Sequence, residues 1–124
     1  MRARHCRDWG LKIASPATSR RIVIDRPGGY EQLRLVEEPA RAPRATEIAI
    51  DVEAIGVNYA DGIIRMGLYE SAKRLHGYPI TPGFEIAGRV TAVGEQIREH
   101  QVGDPVIGLT LFGGYASRVV LGSD

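Results

Sequence analysis

Glycine and proline interrupt this chain so often that it has no room for a long helix. From Arg21 onward turn signals recur at roughly 8–12-residue intervals, the spacing of short strands in sandwiches and barrels. Among 124 residues there are 15 glycines and 7 prolines. Between the turns, apolar and polar residues alternate. Ile48, Ile50 and Val52 fall on one side of a segment running from Ile48 to Val57, with Asp51 and Glu53 on the other. Period 2 is the mark of a half-buried strand. The same alternation places Ile22 and Ile24 opposite Arg21 and Asp25, and Ile86, Val90 and Ala92 opposite Glu85, Arg89 and Thr91. Further strands are expected near Leu33–Glu37, Val106–Leu109 and Tyr115–Leu121. Asn58–Met66 breaks the period and suits one or two helical turns with Asn58 as the cap. Residues 67–83, with their Gly, Pro and Tyr, are expected to be loop.

Charge is uneven along the chain. The first 21 residues carry Arg2, Arg4, Arg7, Lys12, Arg20 and Arg21 against Asp8 alone, although the whole chain has a formal net charge of only +1. This basic start lacks the apolar core of a secretory signal. Residues 1–20 are therefore expected to be a disordered extension, with an organellar transit peptide or an anion-binding tail as alternatives. The folded domain is expected over 21–124. No apolar run is long enough to span a bilayer as a helix, and a cytoplasmic location is the expectation. Cys6 is the only cysteine, and His5, His76 and His100 are scattered, so a cysteine-rich zinc site is ruled out.

Motifs that name a reaction unaided are absent. The chain has no phosphate loop, no G-x-S-x-G elbow, and no G-x-G-x-x-G between a strand and a helix. Three stretches read together say more. They are GVNYADGIIRMGLY (56–69), PGFEIAGRVTAVG (82–94), and VGDPVIG followed by GGYASRVVL (102–121). In order and spacing they resemble the N-terminal, GroES-like domain of the medium-chain dehydrogenase/reductase superfamily, most closely its quinone oxidoreductase and VAT-1-like branch.

The resemblance implies a mainly β fold: a partly open GroES-like barrel with one or two short helical turns, here without the Rossmann domain that holds the dinucleotide. It implies an NADPH-dependent reduction of a quinone or an α,β-unsaturated carbonyl by hydride transfer, with this domain as the substrate-side wall. A fragment inactive alone is expected, and a stand-alone GroES-like binding module is the alternative. The implied partners are a Rossmann-type nucleotide-binding domain, in trans or in a C-terminal half, and a small quinone or enone. Neither nucleic acid nor a membrane span is implied. Zinc members of the superfamily carry a cysteine and a histidine where this chain has Asn58 and Phe84. Amide and phenyl do not replace thiolate and imidazole, so no catalytic zinc is expected.

Residue by residue, the resemblance puts Asn58 near the nicotinamide end of the cofactor, beside its alternative role as a helix cap. Tyr69 is a candidate pocket wall or a loop aromatic packed on the barrel. Tyr59 is a further wall candidate, with core packing preferred, and Phe84 is a core residue near the cleft. Asp61 and Glu85 are expected to support the site structurally, satisfying backbone donors or Arg65. Gly83, Gly88, Gly103 and Asp104 are expected to serve turns and close packing. His76 is expected on a surface loop.

Overall fold

The computed structural model describes residues 18–123. The basic segment before Thr18 lies outside the described residues, and with it most of the expected extension. Strand β1 runs Thr18–Ile24. It takes in Thr18, Ser19 and Arg20 ahead of the expected start at Arg21, and Ser19 is buried. The basic composition around Arg20 hides the start of the strand, and the expected alternation of Ile22 and Ile24 gives way to two adjacent buried residues, Val23 and Ile24.

After a single 3-10 turn at Tyr30–Gln32 come β2 (Leu33–Pro39) and β3 (Glu47–Ile55). Two short helices follow, α1 (Tyr59–Arg65) and α2 (Glu70–Leu75). Strands β4 (Glu85–Val93), β5 (Pro105–Leu109) and β6 (Arg118–Gly122) complete the described elements. Helix α2 lies where a loop is expected. Six residues with only Ala72 buried carry too little period to be read from sequence, and so short a helix depends on packing rather than propensity.

All strand pairs are antiparallel. β1 and β2 form a two-stranded ribbon, and the larger sheet has the order β5-β4-β3-β6. The ribbon is stitched to the rest of the fold at Arg21–Ala116 and Ile24–Ile80. Amide hydrogen bonds from Ile22 to Tyr115 and from Ser117 to Arg20 carry the first of these stitches. The edge strands β5 and β6 approach each other across a seam lined by Ile48, Val106, Gly108 and Leu121. The sheet curls toward a barrel without closing, as the sequence resemblance implies.

Ile48 and Ile50 are buried as the alternation requires, yet Ala49 between them is buried too. The β3–β4 register shifts at Ala49/Ile50 and again at Val52/Ala54. Such irregularities break strict alternation and re-aim side chains. One core cluster sits under the large sheet, with Ile48, Ile50, Ile86, Val90 and Val119 at its centre. A second holds Ile24, Ile64, Ala72 and Ile80, and it packs the helices and the 76–84 segment against β1. Gly88 is needed where β4 crosses β3, since a Cβ there would lie 2.1 Å from the Asp51 carbonyl oxygen. No helix among the described residues is long and apolar enough to cross a membrane.

Candidate functional site

The end of β3, the start of α1 and the Thr81–Glu85 turn meet at one carboxylate. Asp61, at the third position of α1, is 6% exposed. Its Oδ2 accepts from the Asn58 backbone N–H at 2.9 Å and from the Tyr115 hydroxyl at 3.0 Å. Its Oδ1 accepts from the Gly83 N–H at 3.1 Å. An acid in the first turn suits the helix dipole, and three donors satisfy a charge that is costly to bury otherwise. The partners of Asp61 are thus backbone donors and Tyr115, not Arg65. Arg65 instead donates to the Gly28 carbonyl and lays its guanidinium 4.3 Å from the centre of the Tyr30 ring.

Burial, and then the bond to the Asp61 carboxylate, push the Tyr115 phenol up to about 12 from 10.0. The folded state therefore favours the neutral phenol. This contribution to stability is complete below about pH 10 and is lost as pH rises through about 12. Thermal unfolding followed between these limits should show Tyr115→Phe losing less stability with pH than the parent chain. Equal slopes would contradict the assignment.

Beside this hub lies a cavity of about 380 Å³ whose lining includes Tyr30, Val57, Asn58, Tyr59, Met66 and Tyr115. Asn58 occupies the helix-capping position with extended backbone. Its side-chain amide, however, donates across to Glu85 Oε1 at 3.3 Å. Tyr59 is 87% exposed and stands on the rim, not in the core. Asn58, Tyr59 and Asp61 thus come together around the cavity.

Tyr69 and Phe84 do not join them. Tyr69 caps α2 and meets Phe84 edge-on, with ring centres 6.1 Å apart. Phe84 continues to Phe112 at 5.9 Å, and exposed His76 closes the row on Phe112 at 5.8 Å. This aromatic row covers the second core cluster. Gly83 and Gly88 are buried. Gly103 and Asp104 form the turn before β5, where Asp104 Oδ2 accepts the Gln101 N–H at 2.9 Å. Sequence reasoning does not mark Tyr115, Tyr30 or Arg65 as lining residues of the site. The Gly-Gly-Tyr at 113–115 is a usable signal for Tyr115, because a buried tyrosine needs a partner for its hydroxyl. Nothing local marks Tyr30, which reaches the cavity only through the packing of the 26–32 turn.

Among the described residues no three His, Cys, Asp or Glu side chains converge as a metal site would need. The Asn58 amide is engaged with Glu85, and the Phe84 ring has no ligating atom. The residues present do not fit a catalytic zinc.

The fold is a curled antiparallel sheet carrying two short helices, with a polar hub at the first helix, and its relatives belong to the medium-chain dehydrogenase/reductase superfamily. The chain belongs to the family described as the alcohol dehydrogenase GroES-like domain, which matches residues 44–123. It is 37% identical over 107 residues to the synaptic vesicle membrane protein VAT-1 homolog of Danio rerio, covering 86% of this chain and 22% of that protein. It is 40% identical over 99 residues to the quinone oxidoreductase of Lama guanicoe, covering 78% of this chain and 29% of that one. Among solved structures, Escherichia coli quinone oxidoreductase complexed with NADPH is similar with a TM-score of 0.75 and 33% identity, over 84% of this chain and 31% of that chain. CurK enoyl reductase is similar with a TM-score of 0.77 and 33% identity, over 84% and 33% respectively. The chain thus spans about a quarter to a third of the length of these relatives, and it corresponds to their N-terminal portion.

Proposed function

We propose that this domain is the substrate-side wall of an NADPH-dependent oxidoreductase that reduces a quinone or an α,β-unsaturated carbonyl without zinc. The observation that supports this best is Asn58, fixed at the mouth of an aromatic-lined cavity by a buried carboxylate hub. NADPH, when bound, supplies the hydride. The chain's own residues do the rest. Asn58 offers an amide to the nicotinamide end. Tyr59 and Tyr30 supply flat surfaces for a planar substrate, and Met66 adapts to its outline. The hub keeps the 56–61 segment in one geometry, which suits a reaction that depends on positioning. Tyr115 stays protonated at neutral pH, so its hydroxyl keeps the bond to Asp61 that holds this part of the cavity wall. The dinucleotide itself needs a nucleotide-binding domain, which this reading supplies as the domain's partner, in the same chain or in trans.

The experiment is NADPH consumption with a simple quinone and with an enone. The 124-residue chain alone should not turn over, whereas the chain joined to its nucleotide-binding partner should. Asn58→Ala in the joined protein should lower kcat/KM by about tenfold or more, equivalent to one lost hydrogen bond of about 1.4 kcal/mol. Steady turnover by the 124-residue chain alone would sink the proposal. A joined protein that never consumes NADPH would sink it too.

A further inference from the structure

The donor end of the Asn58 amide faces Glu85, and that contact decides which atom is left for a ligand. Asn58 Nδ2 lies 3.3 Å from Glu85 Oε1. An ionised carboxylate only accepts hydrogen bonds, so it selects the NH2 end of a neighbouring amide. The opposite end of the amide carries the oxygen, Oδ1, which has two lone pairs. With one of them directed at the first turn of α1, as the capping-box arrangement of Asn58 and Asp61 allows, a second remains, and Asn58 is among the residues lining the cavity.

Glu85 is itself seated for this purpose. The Gly56 N–H donates to the Glu85 carbonyl at 3.0 Å, which ties the start of β4 to the end of β3. At Gly56 a Cβ would fall 2.2 Å from Glu85 Oε1 and 2.3 Å from its Cγ. Glycine at 56 leaves the space through which the Glu85 side chain reaches Asn58. From below, Asp61 holds the Asn58 backbone N–H. The backbone and the side chain of Asn58 are thus each held by a separate carboxylate.

We infer that Glu85 is a positioning residue which turns Asn58 so that Oδ1 faces the cavity, making this point an acceptor for an N–H or O–H donor on the ligand. The inference rests on the proposed function for its ligand: the carboxamide N–H of a nicotinamide, or a ribose hydroxyl, supplies the donor.

A charge-exchange pair tests it in the domain joined to its nucleotide-binding partner. Asn58→Asp keeps an acceptor for the ligand but places a second carboxylate against Glu85. The KM for NADPH should rise by about tenfold or more, with a smaller change in kcat. Adding Glu85→Gln gives the new carboxylate at position 58 an amide donor in place of the repelling charge. The double variant should regain most of the loss, a coupling that two independent sites do not show. A double variant no better than Asn58→Asp overturns the inference, and so does an Asn58→Asp protein that binds as the parent does.

A second readout does not depend on turnover. Asn58 is the only asparagine in the chain, so asparagine-selective nitrogen labelling of the 124-residue chain gives one side-chain NH2 pair. Glu85→Ala should move that pair, whereas Glu53→Ala should leave it in place. A pair insensitive to Glu85→Ala overturns the inference. If the parent enzyme shows no nicotinamide-dependent activity while the pair does respond, the proposed function fails and the positioning contact stands.

Discussion

Replacing Asp61 with alanine should cost the domain about 4 kcal/mol, because one buried and two half-buried donors lose their acceptor at once. The Asn58 N–H, the Gly83 N–H and the Tyr115 hydroxyl all converge on this carboxylate. Each donor left without a partner costs roughly 1–3 kcal/mol when water cannot reach it. Not all three stay dry, because Asn58 and Tyr115 border the cavity. The total is therefore set below the full sum. Asp61→Asn keeps the size and one acceptor but turns an NH2 toward a donor, and should cost about half as much. Urea unfolding of both variants measures this directly. A loss below about 1 kcal/mol in Asp61→Ala would mean that the hub contributes little beyond an exposed hydrogen bond.

The second large effect is expected at Gly83. Its φ of +106° is one that side-chain-bearing residues rarely adopt. The site is also full: a Cβ there would lie 2.7 Å from Tyr115 Cδ1 and 2.8 Å from Gly114 Cα. Backbone strain of roughly 1–2 kcal/mol and overpacking of roughly 1–3 kcal/mol should add to about 3 kcal/mol in Gly83→Ala. Gly77 separates the two causes. Its φ is +78°, and nothing lies within 4 Å of the position a Cβ would take. Gly77→Ala should therefore show the strain alone, at about 1 kcal/mol. If the two alanine variants unfold at the same denaturant concentration, crowding at Gly83 is not what makes glycine necessary there.

These two positions also show what the sequence discloses. Gly83 and Asp61 stand out through the spacing of the 56–69 and 82–94 stretches, and the structure supplies the reason: one hydrogen bond joins them. The strands with period-2 alternation are legible because one face of the sheet is buried. Ala49 is not, since burial on both faces of β3 comes with a register shift that leaves no local trace. Helix α2 escapes notice because six residues with one buried alanine look like loop. Tyr69 and Tyr59 show the limit most clearly. Both are aromatic and lie close in sequence to Asn58. Yet one packs over the second core while the other stands 87% exposed at the cavity rim. What separates them is the direction of α1 and the chain reversal at Gly67, both of which are set by tertiary packing. Helix α1 itself is legible in the break of period after Asn58. Glu85 is recognisable as a supporting residue, but its contact with Asn58 spans 27 positions, and no pattern in either stretch reveals it.

The most direct test is the position of the nicotinamide in a crystal of the domain joined to its nucleotide-binding partner, grown with NADPH. The nicotinamide carboxamide or its ribose hydroxyl should lie within about 2.7–3.2 Å of Asn58 Oδ1, with Asn58 Nδ2 still on Glu85 and the ring facing the cavity beside Tyr59. A nicotinamide bound elsewhere, with Asn58 turned to solvent, would contradict this expectation.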